Sequence, residues 1–226
     1  MRCQASVCPE DTYAMGRVLA EVHLAGAPRM RAGRFRVADL LTRCEQIGQD
    51  ASDDLRGMGS QLADALAQAE AQRLPGLPKG LCHGDLFRDN VLWQGPKLAA
   101  LLDFESAAEG PFAFDVAVTL LAWCFSDDFV PALLASLVAG YTSRRPLTAD
   151  ERLGLFAEAR VAALRFTITR VTDYAMRAHL GVTEVRDWRR FFKRYERLGD
   201  LGPAGFAALF ETGCFPSGTS QGASSP

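Results

Sequence analysis

Three side chains and a following Asp-Phe pair have the types and the spacing that phosphoryl transfer requires. His83, Asp85 and Asn90 form an H-x-D-x-x-x-x-N arrangement, and Asp103-Phe104 comes thirteen residues after the asparagine. Charge that builds on a transferred phosphoryl group is met by metal ions with hard oxygen ligands, while a separate carboxylate orients the attacking hydroxyl and accepts its proton. We therefore expect Asp85 to act as the catalytic base, and Asn90 and Asp103 to bind the metal.

A hairpin is expected to bring these side chains to one point. Short apolar runs at residues 91–93 and 98–102 flank the turn sequence of residues 94–97, which contains Gly95 and Pro96. Such a pattern predicts two antiparallel strands joined by a tight turn. Asn90 then lies at the start of the first strand and Asp103 at the end of the second, so that both can reach the same site.

Neighbouring residues have supporting or alternative roles. His83 is expected to brace the loop by hydrogen bonding, and Phe104 to pack beneath Asp103 and fix its rotamer. Glu105 either reaches a metal ion or substrate, or is a solvated loop carboxylate. Asp115 either begins a helix, where the helix dipole favours a carboxylate, or hydrogen-bonds the backbone of the catalytic loop.

The remainder of the chain is predicted to be mostly helical, which gives an α+β fold with one small hairpin. Apolar spacing indicates helices over residues 9–25, 60–73 and 129–141, around residues 117–124, and over residues 188–198, whereas residues 37–59 are only weakly periodic. Thr148 and Glu151 form a capping-box pattern at the start of a long helix that reaches Val171. Residues 1–212 are expected to form one domain, and the Ser-, Gly- and Pro-rich residues 213–226 a disordered tail.

Composition restricts the partners of the chain. Its 226 residues are 48% hydrophobic and 23% charged, with a formal net charge of −2, which argues against a nucleic-acid or membrane-surface partner. Six cysteines lack the spacing of a zinc site, and neither a signal peptide nor a membrane span is apparent. We expect a cytoplasmic protein with a small-molecule substrate; the oligomeric state is not indicated.

The motifs HGDLFRDNVLW and LLDFESA resemble those of the choline kinase and aminoglycoside phosphotransferase superfamily. The segments MGRVLAEVHLAG (residues 15–26) and AALRFTITRVTDYAMR (residues 162–177) are similar to the bacterial homoserine kinases of that fold. The resemblance implies a protein-kinase-like C-terminal lobe that uses ATP and Mg²⁺ to phosphorylate homoserine. It also implies that the N-terminal β lobe of the family, with its nucleotide-covering loop and lysine, is missing from this chain.

The long helix carries side chains that could select the substrate. Arg165, Arg170 and Asp173 fall within an arc of about 140° at helical spacing. They could complement the carboxylate and ammonium of an amino acid, or form a solvated face with an ion pair. Glu105 occupies a position where an aromatic residue is usual in homoserine kinases, and the sequence DFE is closer to choline kinases. Alternative substrates are therefore choline, ethanolamine or an aminoglycoside; a truncated, non-catalytic protein that binds a ligand or partner is a further alternative.

Overall fold

The computed structural model describes residues 7–26, 33, 36–50, 55–177 and 186–211. Within these ranges it is mostly helical, with two small antiparallel sheets. None of the helices in these ranges is long and apolar enough to cross a membrane. The predicted tail at residues 213–226 lies outside the described residues.

Seven α-helices account for most of the described chain. They are α1 Pro9–Ala25, α2 Val37–Gly48, α3 Met58–Ala71, α4 Phe112–Trp123, α5 Pro131–Thr142, α6 Ala149–Arg170 and α7 Arg189–Glu211. Helix α7 is kinked at Gly202, whose backbone is left-handed (φ 62°), immediately before Pro203. The strands are β1 Lys79–Cys82, β2 Val91–Gln94, β3 Lys97–Leu101 and β4 Ala108–Pro111.

Helix α6 is the central element because almost every turn of it is buried. It begins at the predicted capping box, in which the backbone N–H of Glu151 donates to Thr148 Oγ1 at 3.1 Å and Thr148 N–H donates to Glu151 Oε2 at 2.9 Å. One side of α6 packs against α4 and α7 in the larger core. The other side packs with α2 and α3 in a second core. After Arg170 the helix continues as a single π-helical turn, Val171–Ala175.

Helix α2 corrects the prediction for the weakly periodic region. Its apolar side chains Leu40, Cys44 and Ile47 recur at spacings of four and three, and they pack with α3 residues such as Leu62 and Leu66. Only a narrow stripe of α2 is apolar, because only one side of the helix is buried. The helices predicted near residues 9–25, 60–73 and 129–141 are confirmed, as is the hairpin.

Helices α1 and α5 touch backbone to backbone through two glycines. A β-carbon on Gly16 would lie 2.0 Å from the carbonyl oxygen of Leu137, and one on Gly140 would lie 2.1 Å from that of Tyr13. Neither distance is compatible with a side chain at that position. The two glycines therefore allow α1 and α5 to approach more closely than any pair of larger residues could.

The two sheets position the loops that carry the chemistry. Strand β1 pairs antiparallel with β4, and the pairing ends at Cys82 opposite Ala108. Strand β2 pairs with β3, beginning at Val91 opposite Leu101. The loop of residues 83–90 and the loop of residues 102–107 thus connect the same two sheets. The pairing of β1 with β4 was not predicted, because four residues of mixed burial give no periodic signal.

Candidate active site

Asp115 anchors the loop of residues 83–90, which we call the catalytic loop. Its fully buried carboxylate accepts hydrogen bonds from the backbone N–H of His83 (2.6 Å) and of Gly84 (2.7 Å). It lies in the first turn of α4, so it both begins a helix and hydrogen-bonds the loop. Burial opposes its ionisation, but hydrogen bonds from His23, Gly84 and His83 outweigh this and hold the pKa of Asp115 below its ordinary value.

His83 connects the catalytic loop to the end of β3. Its buried ring donates from Nε2 to the carbonyl oxygen of Leu102 (2.9 Å) and accepts at Nδ1 from the backbone N–H of Asp85 (3.3 Å). The ring of Phe104 lies 4.5 Å from the His83 ring and is 44% exposed. Both nitrogens of His83 are therefore occupied by backbone groups, which is the arrangement of a bracing residue.

The structure brings Asp85, Asn90 and Asp103 together. The side-chain amide of Asn90 donates to the carbonyl oxygen of Asp85 (2.7 Å) and lies 3.4 Å from its carboxylate. The backbone N–H of Leu102 donates to the carbonyl oxygen of Asn90 (2.9 Å), which places Asp103 beside it. Asp85 and Asp103 are close enough for their charges to interact. The hairpin thus performs the positioning expected from the sequence.

The pKa of Asp85 is raised above its ordinary value. Burial is the largest cause, and the nearby charge of Asp103 adds to it, whereas Arg165, Arg186 and His83 act in the opposite direction. A carboxylate with a raised pKa is better able to accept a proton from a hydroxyl group. The environment of Asp85 therefore suits a base rather than a simple structural ion pair.

Asp103 has a backbone conformation that aspartate adopts only rarely. Its φ of 58° and ψ of 66° are left-handed, and it is the one non-glycine residue with positive φ in the described part of the chain. The backbone N–H of Glu105 lies 3.4 Å from Asp103 Oδ1 and stabilises this turn locally. Strain of this kind, of order 1–3 kcal/mol, is concentrated at functional sites.

The residue types at this point are suitable for a magnesium ion. Mg²⁺ prefers carboxylate and amide oxygens and keeps several waters, so the exposed carboxylate of Asp103 and the side-chain oxygen of Asn90 are suitable ligands. The amide nitrogen of Asn90 is directed to Asp85, which leaves its oxygen for the ion. Glu105 is exposed in the loop that follows, so its two interpretations both remain predictions.

Arg165, Arg170 and Asp173 do not share one binding face as expected. Arg165 is 5% exposed and donates to the carbonyl oxygen of Gly84, so it supports the catalytic loop. Arg170 lies over the ring of Phe191, whereas Asp173 accepts a hydrogen bond from Arg43 on α2 (2.6 Å). The arc was calculated for α-helical spacing, and the π-helical turn after Arg170 rotates the following side chains away from it.

His23 on α1 is a supporting residue that the sequence did not single out. Its buried ring contacts the Asp115 carboxylate through Nε2 (3.1 Å) and the Tyr141 hydroxyl through Nδ1 (2.7 Å). A single histidine on an apolar helix face has no distinguishing spacing. Its only signal was its place in the segment MGRVLAEVHLAG, which resembles a family motif.

Comparison with known proteins agrees with this geometry. The model of the "Phosphotransferase enzyme family" matches residues 4–152, which is more than half of the chain. This chain belongs to that phosphotransferase family. The match contains the catalytic loop, the hairpin and Asp115, so the residues that converge in the structure lie within the family's own domain.

Curated relatives of this chain include bacterial homoserine kinases. The homoserine kinase of Mesorhizobium japonicum is 36% identical over 198 residues, which cover 85% of this chain and 60% of the relative. That of Xanthobacter autotrophicus is 40% identical over 169 residues, which cover 73% of this chain and 53% of the relative. The chain therefore spans about half to three fifths of the length of these relatives.

Solved structures with the same fold include kinases of small molecules. A choline/ethanolamine kinase family protein from Mesorhizobium loti has a TM-score of 0.61 at 17% identity, covering 91% of this chain and 67% of that one. The spectinomycin phosphotransferase solved with ADP and spectinomycin has a TM-score of 0.58 at 15% identity, covering 93% and 67%. At these identities the likeness concerns the fold, and it confirms the predicted fold class.

Proposed function

We propose that this phosphotransferase transfers the γ-phosphoryl group of ATP to the hydroxyl of a small amine-containing metabolite, with homoserine as the acceptor. The observation that carries the proposal is the convergence of Asp85, Asn90 and Asp103 on one point between two anchored loops. The homoserine kinases at 35–40% identity support the choice of acceptor. Choline and aminoglycosides are the alternatives suggested by the fold alone.

Asp85 orients the acceptor hydroxyl and takes its proton as the hydroxyl oxygen bonds to the γ-phosphorus and the bond to the leaving ADP breaks. Proton transfer to a carboxylate in this position contributes typically 10²–10⁴-fold. Asp85 is partly buried, and Asn90 holds the backbone and carboxylate of Asp85 in place. Asn90 and Asp103 would hold Mg²⁺, which neutralises charge on the phosphate oxygens when bound.

The other predicted residues keep the catalytic loop rigid. Asp115 accepts hydrogen bonds from the first two backbone N–H groups of the catalytic loop, and Arg165 donates to the carbonyl oxygen of Gly84 in the same loop. His83 joins the loop to the end of the strand that precedes Asp103. Positioning of reacting groups can supply several kcal/mol of catalysis. We propose these three residues as positioning residues, with no direct contact to the acceptor.

Release of ADP on addition of L-homoserine to the purified protein with Mg-ATP is the first test. Choline and an aminoglycoside serve as competing acceptors under the same conditions. Turnover with L-homoserine well above that with either competitor supports the proposal. Turnover with choline or the aminoglycoside and none with L-homoserine would overturn the acceptor and leave the phosphotransferase reaction standing.

Two variants separate the roles of the carboxylates. Asp103→Asn removes the charge at the metal position, so Mg-dependent binding of ATP should weaken together with turnover. Asp85→Asn removes the base, so turnover should fall while Mg-ATP binding stays close to that of the wild type. Equal Mg-ATP binding by both variants and the wild type would refute the metal role of Asp103.

A further inference from the structure

A strongly basic cleft lies beside the catalytic loop, on the side that faces α7. It has a volume of about 1120 Å³, and its lining includes Arg88 from the loop, Arg170 from α6, and Arg190 and Arg194 from α7. Six of the lining side chains are cationic and three are anionic. This excess of positive charge contrasts with the chain's net charge of −2.

The carboxylates of the cleft do not neutralise these four arginines. Each carboxylate lies within 4 Å of a different basic residue: Asp89 with Arg186 at 3.6 Å, Asp127 with Lys193 at 3.9 Å, and Asp187 with Arg189 at 3.8 Å. Among the described residues, Arg88, Arg170, Arg190 and Arg194 form no ion pair with a carboxylate. Four guanidinium groups thus share the cleft with no carboxylate of these parts of the chain within 4 Å of them.

Aromatic rings and carbonyl oxygens hold the arginines in place. Arg170 and Arg194 lie 4.5 and 4.7 Å from the centre of the Phe191 ring. Their N–H groups donate to the carbonyl oxygens of Asp187 and Leu121, respectively. Such contacts fix a guanidinium in direction while leaving its charge intact. Arg194 is only 5% exposed, so the site is built rather than a chance feature of the surface.

Burial and mutual repulsion both disfavour the positive charges in the cleft. Burial, followed by the charges of neighbouring arginines, lowers the pKa of Arg194 to about 9 and that of Arg170 to about 10. Groups that repel one another in a partly desolvated site are stabilised when an anion binds between them. The preformed positive field therefore favours an anionic ligand and disfavours a cation such as choline.

The cleft is close to the predicted base. Arg170 interacts with the charge of Asp85, and so does Arg186 at the edge of the cleft. Phe87, two residues after Asp85, lines the cleft and lies under Arg170 at 5.7 Å. A ligand whose anionic end is held by the arginines could thus present a hydroxyl at its other end to Asp85.

We propose that this cleft, through Arg170, Arg190 and Arg194, binds the carboxylate of the acceptor alcohol and so selects hydroxy acids over cationic alcohols. The proposal rests on the proposed phosphotransferase function and deepens it. Arginine is well suited to this role because its planar group matches a carboxylate with two parallel hydrogen bonds. The three arginines determine specificity; none of them is assigned a part in the proton transfer.

Direct binding of two ligands to the purified protein tests the proposal. L-Homoserine carries the carboxylate, and 3-aminopropan-1-ol has the same hydroxyl and amine without it. Calorimetric titrations would compare the wild type, Arg170→Gln and Arg190→Gln with the control Arg197→Gln. Arg197 lies on the same helix as Arg190, and its partly exposed side chain is paired with Asp128 outside the cleft (2.8 Å). Arg190 is exposed, so its replacement should not disturb folding.

The wild type should bind L-homoserine much more tightly than 3-aminopropan-1-ol. Each cleft variant should lose about tenfold to a hundredfold in affinity for L-homoserine, the usual effect of removing one charge-assisted hydrogen bond, and little for 3-aminopropan-1-ol. Arg197→Gln should bind as the wild type does. Equal wild-type affinity for the two ligands, or unchanged L-homoserine binding in Arg190→Gln, would overturn the proposal.

These titrations contain no nucleotide, so they are independent of the proposed reaction. Arginine-dependent binding of L-homoserine without phosphorylation would support the cleft and refute the function. Phosphorylation of L-homoserine and 3-aminopropan-1-ol at equal kcat/KM would support the function and refute the cleft.

Discussion

Replacement of Asp115 by asparagine tests how firmly the catalytic loop is anchored. The carboxylate uses Oδ1 for the N–H of Gly84 and Oδ2 for both the N–H of His83 and the ring of His23. Asparagine offers one acceptor oxygen in place of two. Whichever way the amide turns, one backbone N–H of the loop must face an NH₂ group at the position of a former hydrogen bond.

The expected loss follows from these contacts. A buried donor left without its acceptor costs about 1–3 kcal/mol of stability. The remaining hydrogen bonds also weaken, because a hydrogen bond to a charged group contributes about 1.5–3 kcal/mol and the amide of asparagine is uncharged. Since Asp115 is fully buried, no water can replace the missing partner. We therefore expect Asp115→Asn to lower the free energy of unfolding by about 3–5 kcal/mol, similar to the breaking of a buried ion pair.

Urea unfolding followed by circular dichroism measures this loss. The matched control is Asp128→Asn, which changes an exposed carboxylate paired with Arg197 and should cost less than about 1 kcal/mol. The dependence on urea concentration should be the same in both variants, because neither changes the surface exposed on unfolding. An Asp115→Asn variant within 1 kcal/mol of the wild type would refute the idea that this carboxylate fixes the loop.

Three further outcomes are expected from thermal and urea unfolding. Gly16→Ala should lower the free energy of unfolding by about 1–3 kcal/mol or more, because its methyl group meets the α5 backbone. Gly199→Ala, which has open space around it in α7, should raise the free energy of unfolding by about 0.5–1 kcal/mol. Equal effects of the two substitutions would contradict the close contact between α1 and α5. Arg73→Gln should lower the free energy of unfolding by about 3–5 kcal/mol, because the buried carboxylate of Glu158 loses both of its hydrogen bonds from Arg73 (2.9 Å each). A smaller loss would mean that Glu158 becomes protonated at little cost in free energy. Because the pKa of Asp115 is lower in the folded state than in the unfolded state, the free energy of unfolding should fall as the pH drops below the ordinary value of 3.8. This fall should be smaller in Asp115→Asn. If the wild type and the variant lose stability equally with falling pH, Asp115 is not the cause of the loss.

Local signals in the sequence were sufficient to predict the loop and the hairpin that carry the candidate site. The spacing from His83 to Asn90 and the turn at Gly95-Pro96 depend only on neighbouring residues, and together they predicted the loop and the hairpin. The capping box at Thr148 was likewise visible because both partners lie within one turn. Such features are predictable because the chain close to them determines their geometry.

Contacts between distant segments were not predictable in the same way. His23 and Asp115 are 92 residues apart, and the pairing of β1 with β4 joins residues about 30 positions apart. The basic cleft is assembled from the catalytic loop, α6 and α7, so no stretch of sequence shows its charge density. The side chains of the predicted arc on α6 contact different elements, which helical spacing does not reveal: Arg165 contacts the catalytic loop, Arg170 the ring of Phe191 and Asp173 the side chain of Arg43.

The left-handed backbone of Asp103 restricts which residues evolution can place there. At φ 58° most side chains are more strained than aspartate and asparagine, and glycine is not strained. Of these three, only aspartate also supplies a negative charge. Backbone geometry therefore restricts the position to three amino acids, and the proposed metal-binding role selects aspartate among them. Glutamate, although also acidic, would keep the charge and still disturb the turn. A library of all substitutions at this position should retain function only with aspartate.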